Sequence, residues 1–212
     1  MSRNRMAGRI FIHSFFAGAL LAAPVSVGAA SGAEATLSVK ASTTHNREKE
    51  QNTEQKGNAS VTTTVEKETE TCRLEIEIDN PADQRSSYEL EWCTVSKRTL
   101  SKDNEEFVIL DSGKREISLE GRATGTETVN PKPFIFTITS INRVYPANNF
   151  DKSAQTREGD TYAGYIVLVK ADGKILAQES NSSRFLKDEW VARCDESVQA
   201  KEKVKARQKK KK

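Results

Sequence analysis

Between residues 35 and 180 the apolar positions recur at every second residue, the period of strands with one face buried and one face wet. Cys72, Leu74, Ile76 and Ile78 share one parity, and Arg73, Glu75, Glu77 and Asp79 share the other. Tyr88, Leu90 and Trp92 repeat the pattern after Asn80-Pro81-Ala82-Asp83, so the two runs predict a hairpin about that turn. Weaker signals surround it. Residues 35–42 alternate around Leu37 and Val39, Val61 to Val65 is β-branched throughout, and Glu105 to Leu110 with Glu116 to Leu119 makes a strand pair about Ser112-Gly113. Pro133 to Ile141 sets Phe134, Phe136 and Ile138 on one face, whereas Gly164 to Val169 is apolar on both, as a central strand requires. Asp172-Gly173 then predicts a two-residue turn into a return arm, Ile175 to Gln178. Only the polar interval 43–60 breaks the rhythm, and it reads as a mobile loop within one domain.

After Ser182-Ser183 the period becomes helical. Phe185, Leu186, Trp190, Val191 and Cys194 predict a helix from about residue 183, capped by Ser183 and laid on the sheet through Phe185, Leu186 and Trp190. Several short strands separated by turn signals predict an all-β fold, a two-sheet antiparallel sandwich occupying residues 34–200 as a single domain. The block LEIEIDNPADQRSSYELEW and the strand pairs after it, roughly residues 70–180, resemble secreted immunoglobulin-like and fibronectin-like β-sandwiches of bacterial proteins. That resemblance implies an immunoglobulin-like antiparallel β-sandwich with the C-terminal helix packed on it. It implies no particular activity, because such folds host many.

Composition alters this picture at both ends. Arg3, Arg5 and Arg9 precede an apolar run from Ile10 to Ala23, and Pro24 is followed by small residues suited to a signal peptidase, Val27 with Ala29 or Ser31 with Ala33. Residues 1–33 therefore read as a cleaved signal peptide, since the apolar run falls short of the roughly 20 residues that span a bilayer. Export to the periplasm or the extracellular space follows. The formal charge of +3 resides wholly in those three leader arginines. Residues 201–212 carry Lys201, Lys203, Lys205, Arg207, Lys209, Lys210, Lys211 and Lys212 against Glu202, a net of +7, which leaves −7 on residues 34–200. The mature object is an acidic domain with a basic tail. Such a tail either attracts anionic polymers or folds back on its own acidic face.

Chemistry is sparse. Of 3 cysteines, Cys72, Cys93 and Cys194, at least one is unpaired in a monomer. Strand parity sets Cys72 and Cys93 on different faces, so Cys194 is assigned to Cys93 first and to Cys72 second, with three reduced thiols as the remaining alternative. His45 is the sole histidine after the leader and lies in the polar interval, which removes histidine-based triads and His/Cys zinc sites. Glu75, Glu77, Glu89 and Glu91 are expected to cluster as exposed acids on the outer face of the first hairpin, with Asp79-Asn80 and Asp83 as a weaker calcium alternative. No phosphate-binding glycine loop and no cofactor motif is present. The sequence thus predicts a non-enzymatic exported module, an envelope-associated binding or structural protein. A polyanion-binding protein working through the tail is the alternative, and a carboxylate hydrolase the remote one.

Overall fold

The computed structural model describes residues 35–101, 104–145 and 150–209, so the leader and Lys210 to Lys212 lie outside it. Eight strands are followed by a short 3-10 turn at Ser183–Leu186 and one helix, α1 (Asp188–Lys209). The strands are β1 (Thr36–Lys56), β2 (Ala59–Asp79), β3 (Ser86–Ser101), β4 (Asn104–Leu119), β5 (Thr124–Val129), β6 (Phe134–Tyr145), β7 (Phe150–Ala171) and β8 (Lys174–Glu179). All pairings are antiparallel, and the hydrogen-bonded order is β1-β2-β6-β7-β3-β4, with β5 also on β2 and β8 also on β7. The chain is an all-β fold with one C-terminal helix.

The strands form one hydrogen-bonded sheet, in which two long strands change partners part-way along. β2 pairs with β6 over Ser60–Glu70 and with β5 over Leu74–Asp79. β7 pairs with β6 up to Gly159 and with β3 from Gly159 onward. Gly159 has φ +122°, and a Cβ there would stand 2.3 Å from the Ile135 carbonyl oxygen, so glycine is required at the change of partner. Where the strands part, side chains take over the orphaned amides: Glu70 accepts from Tyr162 N at 3.2 Å and Asn181 from Tyr165 N at 3.2 Å. Beyond this point β1-β2-β5 and β4-β3-β7-β8 enclose one core, with Leu74, Ile76 and Ile78 sharing it with Tyr88, Leu90, Trp92, Val167 and Val169.

Three sequence expectations change. β2 and β3 are not hydrogen-bonded neighbours, so Asn80 to Arg85 is not a hairpin turn but a corner that carries the chain from β2 across the core to β3. The same alternation results whether two strands lie side by side or face each other across a core. Residues 43–56 are not a mobile loop; they complete β1, paired residue for residue with β2 as far as the Gly57 turn. Their polar composition reflects exposure on both faces, because this stretch runs past the end of the core. Ser112-Gly113 lies inside the continuous strand β4, opposite Cys93 and Trp92, with Leu110 bulged beside the Thr94/Val95 step. The Asp172-Gly173 turn is as expected, both residues having positive φ (50° and 75°) between β7 and β8.

The corner is held by Asn80, 1% exposed. Its amide donates to the carbonyls of Gln84 (3.0 Å), Glu120 (3.0 Å) and Leu119 (3.3 Å), and its oxygen accepts from Tyr88 Oη (2.8 Å) and Ala82 N (3.1 Å). Every polar atom of a buried amide is thereby used. Asn80→Ala removes hydrogen bonds to three carbonyls, a phenol and the Ala82 amide, and should cost about 2–4 kcal/mol in urea unfolding; Tyr88→Phe, which removes one partner only, should cost about 1 kcal/mol.

Candidate functional site

The face of β3, β4 and β7 turned away from the core is covered by α1. Cys93, Val95, Ile166 and Leu168 are buried there beneath Phe185, Trp190, Val191, Cys194 and Val198. The helix spaces these residues three and four apart, so one stripe faces the sheet. A disulfide joins Cys93 to Cys194 across 101 residues, with Cα atoms 5.8 Å apart. The pairing ranked first from parity is the one the fold brings together, and Cys72 remains a buried free thiol on the core side of β2. In the loop-entropy account a closure of this length stabilises by roughly 4–5 kcal/mol.

Beside the disulfide lies a polar cluster that parity alone did not reveal. Lys170 extends the outward row Ile166, Leu168 of β7 and meets Glu91 of β3 at 2.6 Å and Asp195 of α1, while Lys114 of β4 pairs with Glu89. Glu91 is only 4% exposed. Burial, together with the carboxyl groups of Asp195 and Glu89, pushes it up to about 7 against the attraction of Lys170. Burial also opposes ionisation of Asp195 and Glu89, but hydrogen bonds from Glu91 and the lysines hold both below their ordinary values. Of the three carboxyls, Glu91 is the one shifted toward the protonated form. Next to it an open cleft of about 200 Å³ is lined by Ser87, Glu89, Glu116, Ser118, Lys170 and Asp172, smaller than the several hundred Å³ usual for a small-molecule site.

The carboxylates expected to cluster do not. Glu75 and Glu77 lie on the solvent face of β2, and Glu89 and Glu91 on the helix-side face of β3, with the core between the two pairs. Glu91 is buried rather than exposed, because α1 covers it. Asp79 receives hydrogen bonds from the hydroxyls of Thr36 and Thr124, Asn80 is consumed by the corner, and Asp83 pairs with Arg122. Among the described residues no group of His, Cys, Asp and Glu is arranged to hold a metal ion. His45 is exposed on β1, 3.5 Å from Glu70. A second buried carboxyl, Glu179, takes a hydrogen bond from Tyr165 Oη at 3.2 Å and another from the backbone of Val39, fastening β1 to β8. Burial raises Glu179, and raises Tyr165 beside it. Glu179 and Lys170 escaped notice because each ends a strand, where a charge ordinarily reads as solvated.

The basic tail is helical as far as Lys209. Lys201 is the last residue to engage the body: its ammonium bonds Asp111 at 2.6 Å and the Ser112 carbonyl, and lies 5.5 Å from the Trp92 ring centroid. From Lys203 onward every described position is exposed, Val204 included at 52%. Lys203, Lys205, Arg207 and Lys209 thus stand on about two turns of helix, roughly 10 Å, clear of the sheet. Lys205 is bridged by Glu202 at 2.6 Å. No helix of the described residues is long and apolar enough to cross a membrane. Comparison of the chain with family models, curated proteins and solved structures found no match.

Two outcomes follow from these environments. Burial pushes the Cys72 thiol up to about 11, against a hydrogen bond with Tyr162. Iodoacetamide should therefore leave native protein unlabelled, add one group after denaturation alone, and add three after denaturation with reductant, as read by mass. Because Glu91 holds its proton more tightly folded than unfolded, the stability it supplies is complete below about pH 4.5 and is lost as pH rises through 7. Glu91→Gln should remove a fall of about 1–3 kcal/mol between those limits in urea unfolding at a series of pH values.

Proposed function

We propose that this chain is an exported, non-enzymatic binding module of the cell envelope, in which an immunoglobulin-like sandwich presents a cationic helix end to an anionic polymer. The observation that carries the reading is the separation of Lys203, Lys205, Arg207 and Lys209 from the acidic body. A tail that solubilised the protein or neutralised its own surface would lie against the carboxylates of residues 34–200. Among the described tail residues only Lys201 does so, through Asp111. The cations beyond it are held off by a helix whose root is fixed covalently at Cys194. Positive side chains also suit the negative end of the helix dipole, so the charge stabilises the element that displays it.

Export is supported by the leader pattern of residues 1–33 and by the disulfide, a bond that persists in oxidising compartments. The non-enzymatic reading rests on how the carboxylates are engaged. Glu89, Glu91 and Asp195 are bound up with Lys114 and Lys170 beneath or beside α1, and Glu75 and Glu77 lie on the opposite side of the core. No aromatic side chain lies on the exposed turns of α1, so attraction there is by charge, without base stacking.

The test is co-sedimentation of the mature protein with the envelope fraction of the producing cell, and retention on a sulfated-polysaccharide column. Changing Lys203, Lys205, Arg207 and Lys209 together to Gln should lower retention at least tenfold while leaving Lys201 and the fold intact. Raising salt from about 50 to 500 mM should release the unaltered protein, since contacts of exposed charges are screened over a Debye length. Retention by the Gln variant equal to that of the unaltered protein would move binding to the sheet surface.

A further inference from the structure

The outer edge of β1 carries a second, independent signal. Among the described residues β1 pairs only with β2, which leaves its other edge without a strand. Near its start that edge is closed by side chains, Glu179 and Tyr165 bonding the peptide groups of Val39. From Thr44 to Lys56 every residue is exposed. Unsatisfied main-chain donors and acceptors on such an edge are a template for another strand.

Charge along residues 45–54 is sorted by face. His45, Arg47 and Lys49 share one face of β1, and Glu48, Glu50 and Glu54 the other, which ends in Lys56. β2 is complementary in register: Arg47, Glu48 and Lys49 lie opposite Glu68, Lys67 and Glu66. The resulting ion pairs join Arg47 to Glu66, Arg47 to Glu68 at 3.5 Å, and Lys49 to Glu66 at 3.0 Å. A strand added on the free side meets the same three β1 residues and is selected by the same order of charge.

The sorting also decides against a second copy of β1. Two antiparallel copies related by a two-fold axis bring residues of one face opposite each other. Registers centred on residues 47 to 52 oppose, in turn, Arg47 with itself, Arg47 with Lys49, Glu48 with Glu50, Glu50 with itself, Glu48 with Glu54, and Glu50 with Glu54. Like charges directly across are destabilising. Each of these registers sets at least one pair of like charges directly across, which a partner of complementary order avoids; within residues 43–56 only the last also opposes unlike charges, Glu48 with Lys56.

We infer that the free edge of β1, residues 43–56, accepts an extended segment of a different protein whose side chains run acidic-basic-acidic, with the acids on the Arg47/Lys49 face and the base on the Glu48 face. The probe is a blocked peptide of sequence TTTVEKETET, identical to residues 62–71, compared with its charge-reversed counterpart TTTVKEKTKT. Both are added to the full mature chain and to the variant with Lys203, Lys205, Arg207 and Lys209 changed to Gln, so that attraction to the helix end is read separately. The first peptide should slow hydrogen exchange at alternate amides of residues 43–56 in both proteins, with the reversed peptide at least about tenfold weaker. Arg47→Glu with Lys49→Glu should exchange the preference. Should that variant fail to fold, a peptide methylated at alternate backbone nitrogens, which cannot pair, should lose binding to the unaltered protein. Absence of protection at millimolar peptide, equal binding of the two peptides, or self-association of the protein through residues 43–56 would each overturn the inference.

Discussion

The fold depends on one strand changing partners. β7 leaves β6 and continues along β3 at Gly159, and the positive φ and close carbonyl contact at that residue admit no side chain. Because the change occurs part-way along a 22-residue strand, the hydrogen-bonded surface is continuous, yet its two ends differ in kind. At one end the surface divides and encloses an apolar core; at the other β1, β2, β6 and the first half of β7 extend as one layer. Arg98 and Ser96 grip Asp160 next to the change, with Arg98 Nε at 3.0 Å and Ser96 Oγ at 2.7 Å from the same carboxylate oxygen. β6 and β3 are thus coupled through a few residues of β7.

This explains how much of the fold was legible in the sequence. Parity along residues 72–78, 88–94 and 164–169 depends on which face is buried, and that information is local. The assignment of Cys93 away from the core followed from it; which cysteine meets Cys194 did not, because that depends on where the helix is seated. Pairing is not local. Leu74 and Leu90 would show the same alternation as neighbours in a hairpin or as opposing residues across a core, and only the corner built on Asn80 distinguishes them. Asn80 looked like an ordinary turn residue because a satisfied buried amide and a solvated one are spelled alike. Residues 43–56 misled for the opposite reason: strand signals rest on burial, and this part of β1 has none.

The polar cluster under α1 was hidden by a related ambiguity. Glu89 and Glu91 alternate with Tyr88, Leu90 and Trp92, which marks an outward face and leaves open whether another element covers it. Trp190 and Cys194 predicted a packed helix, but its placement over Glu91 is a fact of tertiary structure. Once there, the helix turns one of those acids from a solvated group into a buried one whose charge depends on Asp195 and Lys170. Helix seating and protonation of Glu91 are therefore coupled, because burial under α1 favours the neutral carboxyl.

The position of the disulfide has a mechanical meaning. α1 is joined to the sheet by a covalent bond about a third of the way along its length, and the cationic turns lie beyond that bond. A pull applied at Lys203 to Lys209 reaches Cys194 before it reaches Trp190 or Phe185, and it passes through sulfur into β3. That strand is flanked on both sides, by β4 and β7. Tension is thus met first by Lys201 and Val198 and then, at Cys194, delivered through sulfur to the interior of the sheet before Trp190 or Phe185 is loaded, the load path of an anchor bolt set through a plate.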